Sequence, residues 1–260
     1  MKKVAPLRYD VIFKKAFGNP EMFTALVSDL LDFHLEIDKV ENDKVFIPSV
    51  GKVATRFDLF AEDKKNRVIV EVQHAHYSDT YERFVYYQCT AMAETVASSS
   101  NYGFPVTVVT LVFLTGKKAP NPNGSGILVH DFEPRDIVDG EVVEGVYRKK
   151  HRLIFVFTNS VKKQKTPKNY LEWMRAIDDS LDEEVNEDDY SNPHISRLFE
   201  RIETDQITPE ERADMKDEYN QEEFLKESKL ETARNFKVLG VSEETIASAT
   251  GLSLDEVMAL

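Results

Sequence analysis

Asp58, Glu71 and Gln73 have the types and spacing of a paired-carboxylate site with a polar neighbour. Thr55 to Glu62 reads TRFDLFAE and Val68 to Gln73 reads VIVEVQ, with polar turn residues Asp63-Lys64-Lys65-Asn66-Arg67 between them. Alternation and β-branched content predict a β-hairpin. Folded symmetrically about Lys64-Lys65, it sets Glu62 opposite Arg67 and Asp58 opposite Glu71. Directly opposed residues of an antiparallel pair share a face, with Cα atoms roughly 4.5–5.5 Å apart. Gln73 joins that face through the period of two. Phe57, Leu59, Val70 and Val72 are expected on the other face, in a core. Opposed carboxylates repel unless a proton or a cation lies between them. Hard divalent ions such as Mg²⁺ take oxygen ligands, and the Val72 carbonyl offers one more.

The elements around this pair follow from pattern. Tyr9, Ile12, Phe13, Ala16 and Phe17 recur at helical spacing, Gly18-Asn19 breaks the run, and Pro20 opens a second helix carrying Phe23, Leu26, Val27, Leu30 and Leu31. A short strand is expected near Val45–Ile47. After the hairpin, Ser78 or Asp79 caps a helix to about Ala97. Val106 to Leu114 is a continuous apolar run suited to a buried strand, parallel to an earlier one through the helical crossover. Further strands are expected near Ile127–Phe132, Val142–Tyr147 and His151–Phe157. Helices follow from Pro167, from Pro193 to Ile202 and from Pro209 to about Leu239, with two short ones in the last 19 residues.

An acid on one hairpin strand followed by Glu-x-Lys on the next is the signature of PD-(D/E)xK nucleases. This chain resembles them, with Gln73 in the lysine position. Glu-x-Gln is the version found in the recombination-promoting nuclease/putative transposase family. The opening Tyr9-Asp10-Val11-Ile12-Phe13-Lys14-Lys15-Ala16-Phe17-Gly18, the Arg83…Tyr86-Tyr87 segment and the tail Leu239-Gly240-Val241-Ser242…Ile246…Thr250-Gly251-Leu252 are similar to that family too. The resemblance implies an α/β fold: a restriction-endonuclease-like core with a mixed central β-sheet flanked by helices, plus an α-helical C-terminal extension. It also implies a metal-dependent DNA endonuclease linked to recombination, mobile elements or phage defence. Asp58, Glu71 and the Val72 carbonyl would hold Mg²⁺ or another divalent cation such as Mn²⁺. Gln73 would orient water or meet a phosphate oxygen. Asp10 would add a ligand or orient water, and Arg83 would clamp a phosphate. Glutamine offers a neutral dipole where lysine offers a charge, which leaves the general base open.

Other readings stand beside these. Asp10 also reads as a cap or surface residue, and Arg83 as an ion-pair partner of Glu71 or Asp10. Lys149 and Lys150, in the run Arg148-Lys149-Lys150-His151-Arg152, read as DNA contacts or as a solvated turn. Lys162, Lys163, Lys165 and Lys168 are equally open. His74 and His76 have a zinc-like spacing with no evident further ligands.

Charge is uneven along the 260 residues. Residues 1–175 hold 25 Lys+Arg against 22 Asp+Glu, and residues 176–260 hold 8 against 24, so the net charge of -13 belongs to the C-terminal third. Composition divides the chain into a nuclease-like domain over 1–177, an acidic linker over 178–192 and a helical extension over 193–260 with a helix-turn-helix-like tail. That tail contains no Lys or Arg from Val241 on, so protein contacts suit it better than DNA. A single cysteine excludes an internal disulfide framework. No apolar stretch follows the basic start, and the longest apolar run is about half the ~20 residues of a membrane span. A cytoplasmic protein with DNA as partner is expected, with no membrane partner and as a homodimer for double-strand cutting. The competing functions are an inactive nuclease fold working through its acidic tail, and a transcription regulator reading DNA with that tail.

Overall fold

The computed structural model describes residues 1–31, 33–47, 53–74, 80–96, 102–116, 125–147, 149–160 and 165–260. In chain order the elements are β1 (Lys2–Lys3), α1 (Asp10–Phe17), α2 (Pro20–Leu31), β2 (Glu41–Phe46), β3 (Thr55–Glu62), β4 (Asn66–His74), α3 (Thr80–Glu94), β5 (Thr107–Thr115), β6 (Ile127–Asp131), β7 (Arg152–Phe157), α4 (Lys168–Asp179), β8 (Glu184–Val185), α5 (Pro193–Arg201), α6 (Pro209–Val238), α7 (Glu243–Thr250) and α8 (Leu254–Met258). Six strands form one mixed sheet in the order β2-β3-β4-β5-β7-β6. The β4–β5 and β5–β7 pairs are parallel and the outer pairs antiparallel. The continuous apolar run of β5 lies at the centre, where both of its faces are buried.

Each face carries its own helices. Leu59, Ala61, Val68, Val70, Val109, Leu111, Phe113, Ile154 and Val156 pack with α1, α2, α4 and α5 in the main core. On the opposite face α3 covers the sheet. Ala91 and Met92 meet Phe60, Ile69 and Val108, while Phe84 meets Val112, Leu114, Phe155 and Phe157. Arg67 anchors the end of α3 to the hairpin. Its guanidinium donates to Glu62 Oε2 (2.5 Å), Glu94 Oε2 (2.5 Å) and the Ala91 carbonyl (3.0 Å). The Glu62–Arg67 pairing expected from hairpin symmetry is present, with Leu59 opposite Val70 in the same register.

Two expectations need correction. Val142–Tyr147 forms no strand; Val142 makes one isolated bridge to Arg135. Gly140 (φ +76) and Gly145 (φ +84) turn the chain there, and Val142, Val143 and Val146 remain exposed, so no core face stabilises a strand. Phe57 does not share the face of Leu59. It packs with Phe46, Phe60 and Tyr87 on the α3 side. The alternation of β3 therefore slips at Asp58. Pairing of β2 with β3 is interrupted at the same place, between Asn42–Leu59 and Lys44–Phe57, where Asp43 takes φ +56. Aspartate tolerates that left-handed conformation better than most residues. The caps expected at Ser78 or Asp79, and His76, Arg148, Lys162 and Lys163, lie outside the described residues.

The acidic stretch 178–192 carries β8, which pairs with β1 and sinks Val185 into the main core. Ile195, Leu198, Phe199, Ile202 and Ile207 belong to that same core. Helix α6 starts with a capping box at Thr208 and Glu211 and lies against α1. Three of its carboxylates make the contact. Glu211 takes Lys15 (2.9 Å), Glu218 accepts the Asp10 backbone N–H (3.0 Å) and Glu222 takes Arg8 (2.9 Å). The end of α6 with α7 and α8 forms a separate small cluster around Ala233, Ile246, Leu252 and Val257. Among the described residues no helix is long and apolar enough to cross a membrane.

We propose that the independently folding unit ends beyond Ile207 and not in the acidic stretch. Burying a large apolar side chain contributes about 1.5–3 kcal/mol, so five such residues weigh as much as a typical total stability of ~5–15 kcal/mol. A chain ending at Asn192 should fail to give a cooperative thermal transition by circular dichroism. One ending at Lys226, with all three α6 carboxylates in place, should melt within a few degrees of the full chain. A cooperative melt from the shorter chain would refute this boundary.

Candidate active site

The site lies where β3 leaves β4. The ladder between them runs from Glu62–Arg67 to Leu59–Val70 and stops before Asp58–Glu71, while β4 continues along β5 to His74. Side chains replace the missing backbone pairs. The Asp58 N–H donates to Glu71 Oε1 (3.0 Å), and the Val72 N–H donates to Asp58 Oδ2 (3.0 Å). The two carboxylates therefore hold the opening of the hairpin, each through one oxygen. The N–H and C=O of one strand residue leave toward the same side, so the Val72 carbonyl faces this opening too.

Glu71 is buried, only 2% exposed, and Asp58 is partly buried. Desolvation pushes Asp58 up to about 6, and the neighbouring Asp10 carboxylate adds to the rise. The Val72 N–H, Lys14 and Arg83 oppose it. Glu71 is pushed well above the usual carboxylate range by burial first and then by Asp58. At neutral pH two acids here resist carrying two charges, which is the condition a bound cation or a shared proton relieves.

Helices from both faces reach this end of the sheet. From one face α1 brings Asp10 and, one turn later, Lys14, whose Nζ donates to Asp10 Oδ2 (2.6 Å) and to Asp43 Oδ1 (2.5 Å). Asp10 Oδ1 is buried and has no hydrogen-bond partner among the described residues. Asp10 is no N-terminal cap for α1; it is the first residue of that helix, whose cap position is Tyr9. From the other face α3 brings Arg83, which donates to Gln73 Oε1 (2.8 Å) and lies over the rings of Phe84 (4.7 Å) and Tyr87 (5.6 Å). An ion pair of Arg83 with Glu71 or Asp10, one of its two expected roles, is absent among the described contacts. Guanidinium only donates, so the amide atom facing it must be oxygen and the Gln73 NH₂ is turned away, free to donate elsewhere.

The structure does not bring every candidate here. Lys149 and Lys150 precede β7 at the starts of the parallel strands, whereas Glu71 and Gln73 lie toward their ends. At ~3.3 Å per residue and ~4.8 Å per strand they stand roughly 20–28 Å away. Lys149 also donates to the Pro105 carbonyl (2.5 Å). Lys165 and Lys168 are exposed, and Thr166 between them donates to the Ser125 carbonyl just before β6, whose start pairs with the end of β7. Sequence reading left them undecided because position along a strand is not visible before strand direction is known. His74 contacts Thr115 Oγ1 through Nδ1 (2.8 Å). No group of three or more His, Cys, Asp or Glu converges as a metal cage among the described residues.

A mixed sheet opened at an acidic hairpin, flanked by helices on both faces, is the fold of PD-(D/E)XK nucleases. The chain belongs to the PD-(D/E)XK nuclease family transposases, whose family model matches residues 7–233. No curated protein and no solved structure matches it.

The buried acids set a pH dependence. Their folded-state pKa values lie above the unfolded ones, near 3.9 for Asp and 4.3 for Glu. Stability from such groups is complete below the unfolded value and is lost as pH rises through the folded value, for Asp58 between about 4 and 6. Asp58→Asn removes that loss while keeping an oxygen for the Val72 N–H. In ion-free buffer at pH 7.5 it should melt above the wild type by about 2–10 °C, from about 1–3 kcal/mol. Near pH 4 the difference should vanish. A variant that melts lower at both pH values would show that the pair is not under electrostatic strain.

Proposed function

We propose that the protein is a metal-dependent DNA endonuclease with its centre at Asp58, Glu71 and Gln73. The observation that carries this reading is the opening between β3 and β4, where two carboxylates each commit one oxygen to backbone and, among the described residues, leave the other uncommitted. Family membership supports a nuclease-type activity. The donor set of two carboxylates and the Val72 carbonyl fits a small hard cation of the Mg²⁺ or Mn²⁺ type, which keeps several waters and needs no closed cage. Such an ion, when bound, polarises the phosphodiester and lowers the pKa of attacking water.

The chain's own groups do the rest. Asp58 and Glu71 would hold the ion by their other oxygens, while their backbone bonds keep the two carboxylates in place. Gln73, with its oxygen on Arg83, presents its NH₂ to a phosphate oxygen and is thereby unsuited as a base. Asp10 receives a water at its partnerless oxygen and orients it toward the opening. The Arg83 guanidinium balances charge on the α3 side. Lys165 and Lys168 contact flanking phosphates along the same end of the sheet, while Lys149 and Lys150 stand at the other end of the parallel strands.

Plasmid cleavage with Mg²⁺ or Mn²⁺ tests this. Asp58→Ala and Glu71→Ala should each lower the rate by at least 10³-fold, and Gln73→Ala by about 10–10²-fold, while leaving the chain folded. Lys165→Ala/Lys168→Ala should raise KM several-fold more than Lys149→Ala/Lys150→Ala. Mg²⁺ should raise the melting temperature of the wild type and not that of Asp58→Asn. A folded wild type that cleaves nothing and gains no stability from any divalent ion would leave an interaction protein as the better reading. Cutting both strands in one encounter takes two copies, so a chain that stays single on DNA should yield nicked circles first.

A further inference from the structure

The motif that places a lysine two residues after the strand glutamate has a neutral amide here, and Arg83 is tied to that amide. An ammonium group from another element nonetheless acts on Asp58. Lys14 is 11% exposed, and two of its three N–H bonds go to Asp10 Oδ2 and Asp43 Oδ1 at 2.6 and 2.5 Å. The third has no partner among the described residues. Asp43 stands across from Asp58 in the register of β2 and β3, at the point where their pairing is interrupted and Asp43 itself takes φ +56. The ammonium is therefore bonded to the residue facing the first metal-binding candidate. Two features hold it there. Arg56 Nε donates to the same Asp43 Oδ1 that takes Lys14 (2.8 Å). The C-terminus of α1 sits so close to β2 that a Cβ on Gly18 would lie 3.0 Å from the Asn42 side chain.

Resting on the nuclease reading, we propose that Lys14 supplies the positive charge missing at position 73, donating its third N–H to a phosphate oxygen held beside Asp58. The charge has moved from the sheet to the first helix, approaching the reacting phosphate from the α1 face while Gln73 and Arg83 approach from the α3 face. Its two carboxylate partners pin the ammonium without cancelling its role, since a lysine head can serve three acceptors at once.

Lys14→Met and Lys14→Arg in the full chain test this, with cleavage kinetics, Mn²⁺ titration by calorimetry and melting temperature as readouts. The expected pattern for Lys14→Met is a kcat at least 10²-fold lower, KM within about threefold, and Mn²⁺ bound several-fold more tightly, because an acidic site has lost an adjacent cation. Lys14→Arg should keep at least a tenth of the wild-type kcat. Adding Gln73→Lys to Lys14→Met should recover at least tenfold. Wild-type kcat in Lys14→Met overturns the proposal while leaving the nuclease reading intact, provided Asp58→Ala is inactive alongside. Weaker Mn²⁺ binding in a less stable Lys14→Met, with rescue by neither arginine nor Gln73→Lys, also overturns it, because that is the pattern of a structural prop. Where the wild type itself cleaves nothing, the titration decides: unchanged or weaker Mn²⁺ binding in Lys14→Met refutes it, and tighter binding supports it.

Discussion

Two carboxylates stand where a strand pair ought to close. Backbone groups of Asp58 and Val72 that would normally enter a β-ladder are satisfied by Glu71 and Asp58 side chains instead. That exchange keeps the buried N–H groups paired, as a folded interior requires. It also forces two acids together away from water, which is unfavourable without a counter-charge. Most of what surrounds the opening answers that one conflict. The apolar alternation of β3 and β4 drives the strands into the sheet on one side of it. The kink at Asp43 and Asp58 lets β3 peel away on the other.

The response to the conflict comes from two helices on opposite faces. Helix α3 is fixed by Arg67 at its end, by Phe84 against the sheet and by Gln88, whose amide donates to the Val108 carbonyl (3.2 Å) and accepts from Thr110 (2.6 Å). That rigid seat places Arg83 over Phe84 and Tyr87 with its donors on Gln73. Helix α1 is seated by Ile12, Phe13, Ala16 and Phe17 in the main core, leaving Asp10 and Lys14 on the side that meets β2 and β3. Neither helix alone could neutralise the pair, because the sheet separates them everywhere except at its open end. The active-site candidates therefore depend on packing far from the chemistry.

Much of this was legible in the sequence, for physical reasons that can be named. The hairpin register followed from turn symmetry, because a short polar turn leaves few ways to pair two apolar strands. Its strands, the buried β5 and the parallel crossover were visible as hydrophobic pattern. The slip that moves Phe57 across the sheet was invisible, since period two gives no sign of where a ladder will break. The contribution of Lys14 was hidden for a related reason. Its partner Asp43 lies 29 residues away and adopts a backbone conformation that no pattern announces. Lys149 and Lys150 looked like DNA contacts because a basic cluster is conspicuous in a string of letters. Strand direction puts them at the opposite end of the parallel strands from Glu71 and Gln73. Recognition of the family rested on Asp58, Glu71 and Gln73 in order, and on the spaced segments around them, and the family match over residues 7–233 agrees with it.

The acidic C-terminal third looked hostile to a polyanion when counted as net charge. Its arrangement changes the argument. Glu211, Glu218 and Glu222 are spaced seven and four apart, so they line one face of α6, and that face lies on α1. Two of them neutralise Lys15 and Arg8, and the third receives the N–H at the start of α1, where a helix dipole favours a negative group. Glu218 is pushed up to about 7 by burial and then by Asp10 and Glu222, so its charge there is partial near neutrality. These acids act over a few ångströms on partners inside the protein. Charges on the exposed remainder of the tail are screened beyond about 8–10 Å at ordinary ionic strength. The local field at the open end of the sheet is therefore shaped by nearby cations such as Lys14 and Arg83, and not by a total in which much of the negative charge belongs to residues far along the chain.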